Sequence, residues 1–114
     1  VSREDFLRNA PELLAEIQAS LLARATALRD ANIIECTSLA EFEANFAEDG
    51  SGRWLLVPWD GSDAEEEELS KRLRITIRCL PYDQAGGEIR EHAEAPCVLT
   101  GRPTTRRALW ARSY

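Results

Sequence analysis

Residues 54–80 read WLLVPWDGSDAEEEELSKRLRITIRCL, and three kinds of order follow one another within them. Trp54 to Trp59 is a near-continuous apolar run, the pattern of a buried strand. Pro58 cannot donate to a ladder and marks the end of that strand. Ser62 with Glu65 three residues on is a capping box, which predicts a helix to about Leu73. RITIRCL then alternates, with Ile75, Ile77 and Cys79 on one face and Thr76, Arg78 and Leu80 on the other, the two-residue period of a second strand.

Upstream, Ser38 with Glu41 is another capping box, and Leu39, Phe42 and Phe46 form one apolar stripe, so a helix is expected to run to about Glu48, before the DGSG turn. NIIECT, Asn32 to Thr37, is short and β-branched, an extended segment or strand. Before it, Pro11 suits a first helical position. Leu14, Ile17, Leu21, Leu22, Ala25 and Leu28 recur at helical spacing, predicting a long helix from Pro11 to about Ala31. Ser2 and Asp5 suggest a separate capped turn to about Arg8. Downstream, Pro81 to Pro96 reads as a loop or insertion holding Gly86-Gly87 and a polar EIREHAEA stretch suited to a turn or weak hairpin. A last strand is expected from about Arg106 to Arg112. The fold class is therefore α/β (α+β): a two-layer sandwich with a small mixed sheet in β-α-β-α-β order, helices on one face, preceded by a long N-terminal helix. No internal repeat and no low-complexity tract interrupts it.

A chain of 114 residues, 44% hydrophobic and 30% charged, fits one small globular domain. No apolar run approaches a membrane span and no secretory pattern opens the chain. It has no Met and starts at Val1, which points to a piece of a longer protein. The net charge of -6 argues against a free-standing nucleic-acid binder. The charge is uneven: Asp60, Asp63 and Glu65 to Glu68 make an acidic block, whereas Arg102, Arg106, Arg107 and Arg112 follow Thr100 with no acidic side chain. Surface arginines on an edge strand explain that basic segment, with a small basic patch as the alternative. Three cysteines, Cys36, Cys79 and Cys97, make no disulfide framework; each has apolar neighbours, as buried reduced thiols do, and a cytoplasmic protein is expected.

The phrases PWDG, TIRCLPYDQ, CVLTGRP and the closing LWARSY together resemble the C-terminal domain of prolyl-tRNA synthetase, in the architectural group shared by archaea, eukaryotes and some bacteria. There the corresponding stretches look like P-W-C-G-x-x-x-x-C, T-x-R-C-I-P, C-x-x-C-G-x-P and F-A-R-x-Y. The resemblance covers Ser38 to Tyr114. It implies two parts: residues 1–37, a linker helix and extended segment following an absent anticodon-binding domain, and residues 38–114, a zinc-binding-like C-terminal domain. In the family four cysteines hold a structural zinc, and their positions fall here on Asp60, Glu65, Cys97 and Thr100. Only Cys97 keeps the thiol, and Cys79 matches a cysteine that is not a ligand. Asp60, Glu65 and Cys97, with His92 as a fourth group, could ligate in principle. Thr100 is a poor neutral donor, and Glu65 already has a place in its capping box. The expectation is a zinc-free variant.

The resemblance further implies a class II ligase as the parent enzyme, which joins L-proline to tRNA(Pro) using ATP and Mg2+, acts as a homodimer, and packs this domain with its catalytic and anticodon-binding domains. This chain contains no phosphate-binding Gly-rich loop and no nucleophile–His pair, so by itself it is expected to be inactive and to hold no cofactor. His92 reads as a solvated loop residue rather than a catalytic one. The family's terminal tyrosine carboxylate reaches toward the active site and falls on Tyr114; in the isolated domain a frayed tail is expected. Trp54, Trp59 and Trp110 read as core or partial core, with a base-stacking platform as the alternative. The rival functional reading is a stand-alone interaction or RNA-binding module derived from this domain; a metal sensor rests only on the degraded cysteine pattern.

Overall fold

The computed structural model describes residues 1–83 and 86–113. The chain divides into two compact units, Val1–Asn32 and the residues from Ile33 onward. The first is a single helix, α1 (Arg3–Asn32). Ser2 starts it: Ser2 Oγ accepts the Asp5 N–H at 3.1 Å and donates to the Asp5 carboxylate at 2.6 Å. The expected separation of a short turn from a helix beginning at Pro11 does not occur, because Pro11 lies inside α1. A proline there leaves the Leu7 carbonyl without its helical donor. Alanine, leucine, glutamate and arginine, all strong helix formers, surround it and carry the helix through. At the far end Asn32 folds its amide back onto the Leu28 carbonyl at 2.7 Å.

The second unit is built on a four-stranded sheet in the order β1-β2-β6-β3. β1 (Ile33–Glu35) runs parallel to β2 (Trp54–Pro58), with α2 (Leu39–Phe46) between them in sequence. α3 (Asp63–Leu73) links β2 to β3 (Ile75–Cys79), but these two strands are not neighbours. β6 (Arg107–Arg112) lies between them, antiparallel to both. Cross-strand partners share a face, so the pairings Leu55↔Trp110 and Ile77↔Trp110 align three strands in one row, and Val57↔Ala108 forms the next. Phe42 and Phe46 of α2 and Leu69 of α3 join these residues in one buried cluster. The two-layer mixed α/β architecture is the expected one.

Several boundaries differ from the sequence reading for local reasons. α2 stops at Phe46, not Glu48, because Ala47 is already extended and the Gly50 N–H closes a turn onto its carbonyl at 3.0 Å. The box at Ser38 is one-sided: Ser38 Oγ accepts the Glu41 N–H at 3.5 Å, while the Glu41 carboxylate accepts the Cys36 thiol at 3.8 Å. Cys79 is exposed, not buried, since an irregularity between Ile77 and Cys79 breaks the alternation of β3. Trp54 is 44% exposed, while Trp59 and Trp110 are core. The 81–96 segment is a hairpin at its base: Tyr82 bridges Ile89, and the Asp83 and Arg90 N–H groups reach Glu88 O and Pro81 O, each at 2.7 Å. The last strand begins at Arg107. A two-stranded ribbon, β4 (Ala95–Pro96) with β5 (Pro103–Thr104), was not expected and brackets the CVLTGR turn.

Gly61 is set by close approach: a Cβ there would lie 2.3 Å from Cζ2 of the buried Trp59 ring. Gly61→Ala should therefore destabilise the domain by about 1–3 kcal/mol through overpacking. Leu69→Ala, at a residue 2% exposed, should cost about 2–5 kcal/mol. Urea unfolding of both variants measures these losses.

Candidate functional site

β2 ends where Trp59 and Asp60 leave the sheet, and α3 begins three residues later under its Ser62 cap. The 97–102 turn faces this corner. Its shape comes from three backbone features: the Cys97 N–H donates to Arg102 O at 2.8 Å, the Gly101 N–H donates to Cys97 O at 2.9 Å, and Gly101 adopts φ +74°, a conformation glycine takes without strain. The Val98 N–H donates to Pro58 O at 3.0 Å and holds the turn against the end of β2.

Asp60 is the centre of what results. Its Oδ1 accepts the Thr100 hydroxyl at 2.8 Å and its Oδ2 accepts Arg102 Nε at 2.9 Å. The Arg102 guanidinium also reaches Asp60 O at 3.4 Å, and the Asp60 N–H donates to Cys97 Sγ at 3.4 Å. The Thr100 hydroxyl, then the nearby Cys97 thiol, then the Arg102 guanidinium hold the Asp60 pKa below its ordinary value. Four side chains from two distant segments thus form one clasp.

Of the four positions singled out by resemblance, Asp60, Cys97 and Thr100 come together, while Glu65 does not join them. Its Oε2 accepts the Ser62 N–H at 2.7 Å, completing the capping box. His92 sits in another setting, where its backbone N–H donates to Thr105 O at 2.8 Å. Burial first, then the charges of Arg107 and Arg90, lower its pKa, and its buried Nε2 has no partner among the described residues. Tyr114 lies outside the described residues. Among those described, no three His, Cys, Asp or Glu side chains are grouped to hold a metal ion.

A structural zinc asks for four thiolate, imidazole or carboxylate donors. Here the Thr100 hydroxyl is neutral and its proton is spent on Asp60, Glu65 is occupied by its cap, and the Asp60 carboxylate already carries a guanidinium. The donor set does not fit zinc. Arg102 is the member that the sequence reading passed over, placing it only in a basic segment. The available signal was its position two residues after Thr100, across the glycine of the turn.

Beside the clasp runs an open groove of about 740 Å³. Trp59, Ile77 and Leu80 contribute apolar surface, and Asp63, Glu66 and Glu94 contribute carboxylates. Thr104, Thr105 and Arg106 complete its polar lining, which among the described residues includes no serine, cysteine or histidine. Its acidic groups outnumber the one cation among its described lining residues, Arg106, and so disfavour a phosphate backbone. Trp59 and Trp110 are 6% and 0% exposed and cannot serve as a stacking platform.

The family model described as the C-terminal part of prolyl-tRNA synthetase matches residues 39–114. The chain belongs to the prolyl-tRNA synthetase C-terminal domain family. It is 52% identical over 114 residues to a proline–tRNA ligase of Akkermansia muciniphila, covering 100% of this chain and 22% of that protein. A chloroplastic/mitochondrial proline–tRNA ligase of Arabidopsis thaliana is 39% identical over 103 residues, covering 90% of this chain and 17% of that protein. The fold matches a prolyl-tRNA synthetase from Cryptosporidium parvum complexed with L-proline and AMP, with a TM-score of 0.76 at 23% identity, covering 100% of this chain and 23% of that one. The chain thus spans about a fifth of the length of the relatives it matches.

Three groups with shifted pKa values bear on the acid behaviour: His92, Asp60 and Glu67, the last lowered by the hydrogen bond and then the charge of Lys71. His92 has a folded-state pKa below its ordinary value of 6.5, so the unfolded chain binds its proton first and stability falls as the pH drops from about 6.5 through the folded value. Asp60 has a folded pKa below 3.8, so its contribution is present above 3.8 and is lost as the pH falls through the lowered value. His92→Gln should flatten the first decline and Asp60→Asn the second, as measured by melting temperature against pH.

Proposed function

We propose that this chain serves as the C-terminal structural domain of a proline–tRNA ligase, whose whole polypeptide activates L-proline with ATP and Mg2+ and transfers it to tRNA(Pro). The observation that carries this reading is the end-to-end match of the chain to the corresponding fifth of proline–tRNA ligases, on a fold that solved synthetases share. The parent is read as a cytoplasmic homodimer that packs this domain with its catalytic and anticodon-binding domains. No helix among the described residues is long and apolar enough to cross a membrane. The stand-alone RNA-binding alternative is disfavoured by the mainly acidic charge of the groove and by the burial of Trp59 and Trp110, which leaves Trp54 as the only exposed tryptophan among the described residues. The domain is further read as zinc-free, with Arg102 as a covalently tethered cation at the former metal corner, and the segment holding Ser113 and Tyr114 as the part that approaches the parent's active site.

The assay that tests the assignment measures proline-dependent ATP–pyrophosphate exchange and tRNA charging. The 114-residue domain should show neither, and the full-length chain should show both. Exchange by the isolated domain, or no charging of proline by the full chain, would contradict the assignment. In the same assay, removing Ser113 and Tyr114 from the full chain should lower charging while leaving the melting temperature nearly unchanged. The only described bond this deletion removes is the one from the Ser113 N–H to Arg74 O at 2.9 Å. Unchanged charging would assign the tail no role.

The zinc-free reading is tested by elemental analysis and by melting with and without a chelator. A fold that needs zinc takes folding free energy from the metal and loses structure without it. Less than a tenth of a zinc per chain and an unshifted melt are expected, on the order set by a site without four donors. About one zinc per chain would overturn it.

A further inference from the structure

The pairing of β6 is complete at Arg112. Its last rungs are Thr76↔Ala111 and Ile75↔Arg112, and Ala111 is the last buried residue of the strand. Ser113 beyond it is exposed. Ordering an exposed residue costs backbone entropy and buries no apolar surface. Residues 112 and 113 are nevertheless held from three sides. The Arg78 guanidinium, from β3, donates to Arg112 O at 2.5 Å. The Ser113 N–H donates to Arg74 O at 2.9 Å, where α3 gives way to β3. Arg112 Nη2 donates to Ala47 O at 2.9 Å, just past α2. Gly52 lies so near that a Cβ there would stand 2.7 Å from Arg112 Nε.

Two features separate these bonds from ordinary surface contacts. Both guanidiniums are directed at main-chain carbonyls, and none of Arg74, Arg78 and Arg112 belongs to an ion pair among the described residues. Arg74 is also the one residue other than glycine with a positive φ among those described, at 55°. That left-handed conformation is unfavourable for a residue with a side chain. Its N–H closes α3 onto Ser70 O, and its carbonyl takes the Ser113 N–H.

We propose that Arg74, Arg78 and Arg112 are positioning residues for the synthetase reaction, fixing the direction in which the segment holding Ser113 and Tyr114 leaves the domain. The inference rests on the reading above that this segment approaches the active site of a proline–tRNA ligase. The three arginines act through the backbone of residues 112 and 113, not on a reacting atom. A segment held at its root samples few directions, so whatever it carries returns to one place. A group that orients reactants loses rate when it is displaced, even slightly. The rival role is a plain anchor for the sheet. Placement speaks against it: the rows Leu55–Trp110–Ile77 and Val57–Ala108 already hold the strands, and these bonds lie beyond both rows.

The test is a double-mutant cycle in the full-length enzyme: Arg78→Met, removal of Ser113 and Tyr114, and the two together, with kcat and KM for charging measured alongside melting temperature. Arg78→Met should lower kcat about tenfold and move KM for proline by less than about twofold, since a misplaced orienting group costs turnover before binding. In the shortened enzyme the same substitution should change kcat by less than about twofold, because no segment is left to aim. Arg78→Lys should recover part of the rate, as an ammonium can also donate to Arg112 O. Ser113→Pro removes the bond to Arg74 without touching Arg78 and should reproduce the loss, which covers an Arg78→Met enzyme that does not fold. Arg53→Met is the control: Arg53 is exposed, its side chain has no bond among the described residues, and kcat should not change. Unchanged kcat in both Arg78→Met and Ser113→Pro would overturn the proposal. So would an equal loss in the full and shortened enzymes, which would make Arg78 a plain anchor. A shortened enzyme that charges normally refutes the reading beneath, and this inference with it. A shortened enzyme that charges poorly while both point variants charge normally refutes this inference alone.

Discussion

The edge-to-face packing of Trp110 against Phe42 and Trp59 is the contact on which the second unit depends. The ring centroids lie 5.6 and 5.1 Å apart, and Trp110 has no exposed surface. Such pairs add about 0.5–1.5 kcal/mol each beyond the burial of the rings themselves. The position matters more than the magnitude. Trp110 is on β6, the strand that alone joins β2 to β3, so one side chain fixes the register of three strands and seats α2 on them. Shifting β6 by one residue would turn Trp110 to the far face and expose the whole row from Leu55 to Ile77.

The clasp around Asp60 works on a different scale. Its ion pair, Asp60 with Arg102, is partly exposed, and an exposed ion pair contributes little to stability. What it supplies is direction: it ties the turn carrying Cys97, Thr100 and Arg102 to the corner where β2 becomes α3. The hydrophobic cluster holds the sheet and helices together whether or not that corner is ordered. The corner, in turn, fixes the path of the ribbon and the rim of the groove. A guanidinium and a hydroxyl can do this because both bond one carboxylate with directed hydrogen bonds, and because Cys97 sits buried beneath them.

Local signals were legible in the sequence and long-range ones were not. The Ser62–Glu65 box places α3 to the residue because both of its bonds close within four positions. The alternation in RITIRCL gives β3 but hides the irregularity that exposes Cys79, since a break in pairing is a property of the partner strand. Pro11 read as a start because proline favours the first turn, yet the helix formers on either side outweigh that preference. The clasp shows both sides of this limit. Asp60, Cys97 and Thr100 were found through the resemblance, whereas Arg102 was not, because its bond to Asp60 spans 42 positions and no spacing rule reaches that far. Trp54 read like its neighbours in an apolar run, and only the pairing of β2 shows which face it leaves open.

The sheet order has a consequence for how the domain comes into being. β6 is translated after every other strand of its sheet, yet it fills the centre. In the finished sheet β2 and β3 run parallel on either side of β6, so until β6 arrives neither has its partner on that edge. Each presents an unpaired edge and half of an apolar face. The row Leu55–Trp110–Ile77 is therefore complete only once β6 has been made and has paired with both neighbours. A nascent chain stalled before Trp110 would display sticky edges instead of a finished fold, a state that holdase chaperones bind.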